Sequence, residues 1–423
     1  MAWTLWAALI VVIGTVYGLL KRWETRLVLL TSGVIMCCLA FDPYAAFKQF
    51  DVSMTKSALI VVICSAMGFA YVMKETKCDL HLVSLLTKPL SKLGLFLLPC
   101  CMIVVGIVSL AISSLSGLCA AIGPTICALM IRAGFRPAMA AATVIASTLP
   151  SFWSPGSSHN IFVAKLAEWP VMEYLTYTGT RTLLISIVCI VFMVICCIIF
   201  GDFKKGGFEN DGVHEAANKV ELPSNPNFFF AMAPLLPVVL LFVVAIWFPS
   251  IKMSVATAML VGVIYTLLVT RSNPTTLVKK FFDGMGHGYA NILGLIIAAG
   301  VFAAGLRECG VIDVFVEALK GSSELAKLGA AVGPYVLGVM TGSGDAAAFA
   351  FNEAVTPHAE MFGIAIPDLG YLASVSATFG RVSSPIAAGV IIISGIAGVS
   401  PMEVIKRSAP VQMATLAFLF FIS

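Results

Sequence analysis

Long apolar runs separated by short polar joints fill this chain. They fall at about 4–20, 26–41, 56–73, 137–176 and 180–200, and again at 228–248, 251–270, 289–306, 367–398 and 404–423. Each full run is predicted to be a helix, since roughly 20 apolar residues cross a bilayer core once tilt is allowed for. Two of the runs carry a polar interruption. One holds Pro155-Gly156-Ser157-Ser158-His159-Asn160, near 150–160; the other holds Gly380-Arg381-Val382-Ser383-Ser384-Pro385. Both are read as broken helices. Two further stretches, 93–132 and 323–361, are long enough to cross twice. Each turns at its centre on small polar residues, Ser113-Ser114-Leu115-Ser116-Gly117 and Thr341-Gly342-Ser343-Gly344-Asp345. These predict re-entrant hairpins, because irregular backbone at membrane depth is tolerated only inside protein or against a cavity.

The two sets match in order. Met54 and Cys78 align with Met285 and Cys309 at one offset of about 231 positions, the mark of an internal repeat. The tips Ser116-Gly117 and Ser343-Gly344 follow after a small deletion. So do the breaks Ser157-Ser158 and Ser383-Ser384, and Pro170-Val171-Met172-Glu173 with Pro401-Met402-Glu403. Five crossings per repeat is an odd number, so the second copy is expected upside down relative to the first. The predicted fold is an all-α polytopic membrane protein, an inverted repeat of five spans plus one re-entrant hairpin in each half. Residues 1–92 and 228–322 form one expected part, each ending in an amphipathic interfacial arm (78–92 and 311–320). Residues 93–200 and 323–423 form the other, with the hairpins and breaks, and 201–227 is a polar linker. Placing the Lys21-Arg22 loop in the cytoplasm puts roughly twice as many lysines and arginines inside as outside, as the positive-inside rule asks. Both termini then face outward.

Composition narrows the class. Hydrophobic residues make up 59% of the chain, charged residues 11%, and the mean hydropathy is +0.99. A soluble domain carries roughly twice that charged fraction, so a soluble enzyme or a nucleic-acid-binding module is excluded. Lys21-Arg22 follows the first apolar run without a small-residue cleavage site, so the run reads as a retained span in contact with lipid. The 12 cysteines lie mostly in apolar runs without metal-ligand spacing and read as small hydrophobes. No cofactor is expected.

Arg381 changes the picture. A guanidinium near the bilayer midplane is expensive, so it normally lines a wet site or meets an anion. Its planar fork suits one carboxylate held bidentately; the competing reading pairs it with Asp345. Broken helices in corresponding halves point to a binding site between opposed half-helices. Their N-termini favour a carboxylate. Ser114, Ser116, Gly117, Ser157, Ser158, Ser343, Gly344, Ser383 and Ser384 line the expected site, and Asn160 offers a donor and an acceptor. His159 can donate to a second carboxylate or titrate near neutral pH. Asp345 is a candidate for binding a cation or proton, with helix capping as the alternative. Glu353, two turns on, is a second coupling candidate. Unwound carbonyls suit sodium, near Ser116, Asn160 and Asp345.

The segments Ser114 to Asn160 and Thr341 to Gly389 resemble the DcuC-type anaerobic four-carbon dicarboxylate carriers. The resemblance is carried above all by Trp153-Ser154-Pro155-Gly156-Ser157-Ser158-His159-Asn160 and Gly342-Ser343-Gly344-Asp345-Ala346-Ala347-Ala348-Phe349-Ala350-Phe351-Asn352. It implies a place in the ion-transporter superfamily and an elevator, in which the hairpin-bearing part slides against a dimeric scaffold. It also implies exchange or ion-coupled movement of succinate, fumarate, malate or aspartate across a bacterial inner membrane, with periplasmic termini. The superfamily's sodium-binding Ser-Asn-Thr turns give way here to Ser114-Leu115-Ser116-Gly117 and to a tip with Asp345. That departure leaves sodium coupling, proton coupling and pure exchange open. Another small organic anion or an amino acid is the alternative cargo. Gly342-Ser343-Gly344-Asp345 also fits the Gly-x-Gly-Asp pattern of membrane aspartyl proteases, but a second carboxylate must share the proton there. Asp283 and Asp368 fall near span ends, so the enzyme reading is the distant one.

Overall fold

A computed structural model describes the chain except for residues 1, 22, 88–93, 113, 205–222, 224, 249–250, 252 and 320–321. Ser113, most of the expected linker and the end of the first interfacial arm therefore lie outside the described residues. Among those described there is no β-strand; one isolated antiparallel bridge joins Phe135 to Phe203.

The first half contains α1 (Ala2–Leu20), α2 (Thr25–Leu39), α3 (Pro43–Met54), α4 (Ser57–Thr76) and α5 (Cys78–Thr87). A hairpin follows, α6 (Leu97–Ala111) and α7 (Leu115–Arg132), then a broken helix, α8 (Pro137–Ala146) and α9 (Ser158–Leu166), then α10 (Val171–Phe200). The second half has α11 (Phe228–Met232), α12 (Leu236–Trp247), α13 (Val255–Thr270), α14 (Pro274–Gly288), α15 (Gly294–Glu308) and α16 (Val311–Leu319). Its hairpin is α17 (Ser323–Thr341) and α18 (Gly344–Ala354), its broken helix α19 (Ile366–Val382) and α20 (Ala388–Ala397), and α21 (Pro401–Ile422) closes it. Leu59–Thr76, Gly94–Ala111, Leu115–Arg132, Val171–Phe200 and Pro274–Glu308 are each long and apolar enough to cross a membrane. The pair α20 and α21 passes the same test together, bent by 118° at its joint.

Three boundaries differ from the sequence reading. The joint after α2 is itself a helix, α3, started by Pro43 and capped by Asp42, whose carboxylate accepts from the Ala45 amide. Its alternation of Lys48, Gln49 and Asp51 with aromatics lowered its hydropathy below that of a span. The run placed at 289–306 begins at Pro274 instead. There α14 buries Leu277, Phe281 and Gly284 on one face while Lys279, Lys280 and Asp283 occupy the other, and a π-turn over Tyr289–Leu293 joins it to α15. The run placed at 137–176 ends at Leu166, because the chain turns at Glu168, with φ 58°, before Pro170 opens α10.

Helices α1–α4 pack with α13–α15: α4 lies along α14 and α13, and α2 and α3 along α15. Helices α11 and α12 join them through α13. Helices α6–α10 and α17–α21 form a second mass, with α17 on α19, α7 on α20 and α8, and α10 on α21. Its core holds Met139, Ile145, Tyr174, Tyr371, Phe379 and Ile393, each at most 1% exposed. One end of this mass is tied by a buried ion pair. Arg407 gives Nε and Nη2 to the two oxygens of the fully buried Asp202, at 2.5 and 3.0 Å, and its Nη1 reaches Glu403. A bidentate pair of this kind balances the cost of burying both charges.

Candidate functional site

The first break is fixed by its own residues. Proline lacks an amide hydrogen and pushes its predecessor out of the helical region; Ser154, before Pro155, is accordingly extended. Asn160, fully buried in the first turn of α9, donates from Nδ2 to the carbonyls of Phe152 (2.8 Å) and Ser154 (2.9 Å). These bonds satisfy backbone oxygens that the broken helix leaves without partners. They also hold His159, its neighbour, in a set direction.

The second hairpin turns on Gly342, whose φ of 69° is the left-handed conformation that glycine adopts without strain. Ser343 then caps α18, its hydroxyl accepting from the Ala346 amide at 3.2 Å. This puts Asp345 in the first turn of α18. Its neighbour is set by a close helix crossing. A Cβ on Gly338 of α17 would lie 2.7 Å from the Ala377 carbonyl and 3.0 Å from the Arg381 amide, and one on Gly380 would run into the Tyr335 carbonyl. Glycine at both positions lets the two backbones touch, and Arg381, in the last turn of α19, arrives beside the hairpin tip.

Three side chains from three elements meet there. His159 donates from Nε2 to Asp345 Oδ1 at 2.7 Å, the tautomer a carboxylate acceptor requires. Arg381 donates from Nη1 to the same oxygen at 3.4 Å. His159 is buried, the Arg381 side chain is 18% exposed and that of Asp345 40%. His159 Nδ1 and Arg381 Nε are buried without a partner. The cluster thus presents two cationic or proton-bearing groups whose shared anion is the most exposed of the three. Phe152 and Phe349 flank the imidazole, at 5.9 and 5.4 Å between ring centres.

The other residues named from sequence fall around this point in varying roles. At the first hairpin tip, Ser114 is exposed and caps α7, accepting from Gly117 N at 3.3 Å, while Ser116 and Gly117 are half-buried. Leu115 packs against Gly389 at the start of α20, so this tip meets the second break, and Gly342 of the other hairpin abuts Ala387 there too. Ser157, Ser383 and Ser384 are buried, and Ser158 and Ser343 half-buried. The Ser384 hydroxyl accepts from Ile386 N at 3.4 Å, closing the turn over Pro385. Gly344 lies against Arg381 and Ala377. Glu353 is 9% exposed, and both of its oxygens are taken by Lys56 Nζ, at 2.9 and 3.3 Å. Sequence reasoning passed over Lys56, which opens an apolar run and carries no motif. Among the described residues no three His, Cys, Asp or Glu side chains gather as metal ligands do.

Spanning helices, two hairpins turning on polar tips, and a charged cluster between a hairpin and two broken helices define a polytopic membrane transporter. The chain belongs to the DcuC family, the C4-dicarboxylate anaerobic carriers, whose family model matches residues 41–423. It is 28% identical over 363 residues to the anaerobic C4-dicarboxylate transporter DcuC of Escherichia coli, covering 83% of this chain and 76% of that one. An uncharacterized transporter of Haemophilus influenzae is 37% identical over 272 residues, 63% of this chain and 98% of its own length. Among solved structures, the YdaH transporter of Alcanivorax borkumensis shares the fold at a TM-score of 0.63 and 14% identity, covering 89% of this chain and 86% of that one. The family and these relatives are transporters, not enzymes, which sets aside the protease-like reading of Gly342-Ser343-Gly344-Asp345.

Proposed function

We propose that this chain carries C4-dicarboxylates such as succinate, fumarate, malate or aspartate across a bacterial inner membrane by exchange, with Arg381 as the carboxylate receptor. The observation that carries this is the shared oxygen of Asp345. That carboxylate stands where a substrate carboxylate would, against Arg381 and His159. An arriving carboxylate takes over Arg381, and His159, once protonated, donates from both ring nitrogens. The N-termini of α7, α9, α18 and α20 lie at the tips and breaks, where their free amides favour anions. Transfer of the Arg381 contact between Asp345 and substrate lets one dicarboxylate leave and the next arrive without an uncompensated guanidinium in between.

The movement is read as an elevator. Residues 93–200 and 323–423 form the mobile part, sliding against a dimeric scaffold built from 1–92 and 228–322, with 201–227 as linker. Matching elements support the inverted repeat behind it. Helices α3 and α14 start at Pro43 and Pro274 with side-chain caps, and the hairpin arms α7 and α18 start after capping serines, Ser114 and Ser343. Labelled succinate exchange for internal fumarate in liposomes, with a panel of unlabelled competitors, tests the cargo. Competition by four-carbon dicarboxylates and not by monocarboxylates is expected; equal competition by monocarboxylates or by neutral amino acids gives the alternative cargo. Replacing sodium by choline leaves exchange intact if no sodium is bound near Ser116, Asn160 and Asp345.

A further inference from the structure

One face of α18 carries Asp345, Phe349 and Glu353, spaced four residues apart and therefore in line. Each meets a partner from another element. Asp345 accepts from His159 at 2.7 Å; Phe349 packs on the rings of His159 and Phe162, at 5.4 and 5.2 Å; Glu353 accepts from Lys56 at 2.9 Å. Lys56 Nζ also stands 6.0 Å over the Phe162 ring. Lys56 differs from the other partners in origin. It sits in the joint between α3 and α4, among the helices read as scaffold, whereas α18 and α9 belong to the part read as mobile. Around it, Gln49 donates to Ser53 at 3.1 Å, and a Cβ on Gly300 of α15 would lie 2.6 Å from Ser53 Oγ and 3.7 Å from Glu353 Oε1. The far end of α18 is thus seated in a polar notch cut into an otherwise apolar face.

A buried ion pair adds little net stability over well-packed apolar groups, yet opening it by removing one partner is heavily penalised. It therefore serves register better than strength. Two charges, 22% and 9% exposed, are satisfied at only one height of α18 against α4. We propose that Lys56 and Glu353 are positioning residues. Their ion pair is a latch that holds α18 at this height, keeps Asp345 seated on His159 two turns away, and opens whenever the hairpin-bearing part moves. The inference rests on the division into a sliding part and a scaffold.

The test is a reversible tether. Lys56→Cys/Glu353→Cys in the full chain, reconstituted in liposomes, is bridged by a reducible bis-methanethiosulfonate reagent of the length the ion pair now spans. Bridging is expected to slow exchange about tenfold or more, because a conformational step is blocked, and reduction restores the unbridged rate. The reagent leaves the parent chain with its 12 native cysteines, Lys56→Cys alone and Glu353→Cys alone each at its own untreated rate. A bridged protein that exchanges as fast as the unbridged one overturns the latch. Absence of exchange in the unmodified chain counts against the cargo, and a second measurement then decides the latch without transport. Amide hydrogen exchange across α18 is compared in the parent, in Glu353→Gln and in the reversed pair Lys56→Glu/Glu353→Lys. Protection at the Asp345 end falls about tenfold in the first and returns in the reversed pair; equal protection in all three overturns the proposal.

Discussion

Replacing Asp345 by Asn keeps the side chain's shape and its place in α18 but removes the charge that Arg381 and His159 share. Two unit charges 3.4 Å apart attract by about 5 kcal/mol at an effective dielectric of about 20. The Asp345 side chain is 40% exposed, so screening brings its hold on Arg381 to about 1–2 kcal/mol. A substrate carboxylate that displaces Asp345 from Arg381 gives up that amount on binding. Removing the charge should then tighten equilibrium binding of succinate by about 5- to 30-fold. The same change should slow exchange, because release of one substrate then leaves the guanidinium uncompensated until the next arrives. Calorimetry on the purified variant measures the first effect and liposome exchange the second. Binding that stays within about threefold of the parent shows that the two carboxylates do not compete. Binding that weakens shows that Asp345 helps substrate through a bound cation, and the displacement scheme falls.

Asn160→Ala leaves the buried carbonyls of Phe152 and Ser154 without their donor. It should cost about 1–3 kcal/mol and lower the thermal unfolding midpoint; an unchanged midpoint would show that Asn160 does not fix the first break. Gly380→Ala drives a methyl group into the Tyr335 carbonyl, so α17 and α19 must part, at about 1–3 kcal/mol. Exchange should fall with stability, since Arg381 is the next residue, and parental behaviour in both measurements would contradict the close crossing.

Much of this arrangement is legible in the sequence because membrane burial leaves few ways to satisfy a polar group. Serines, glycines and prolines inside apolar runs announce Ser343, Gly342 and Pro385 as turns, and the structure has helix starts at Gly344 and Ala388 beside them. Arg381 stands out by cost alone, and its contact with Asp345 is one of the two pairings its charge allowed. The His159–Asp345 bond was not legible. Its members lie 186 residues apart and each has a sufficient local explanation. Asn160 was legible only in part: its Nδ2 is spent on the backbone of its own break, while its buried Oδ1 has no partner. The amphipathic helices α3 and α14 escaped because hydropathy detects the apolar part of a helix and not its polar continuation. Lys56 was hidden for a related reason. A lysine at the start of an apolar run looks like an interface anchor until Glu353 is seen beside it.

The decisive measurement is succinate–fumarate exchange in liposomes by Arg381→Ala and Arg381→Lys, each first shown to be folded and monodisperse. The alanine variant should exchange at the rate of protein-free liposomes. The lysine variant should recover only a small part of the parental rate, since an ammonium cannot reproduce the two-pronged grip of a guanidinium on a carboxylate. Parental exchange by Arg381→Ala would contradict the assignment of Arg381 as the group that receives the substrate.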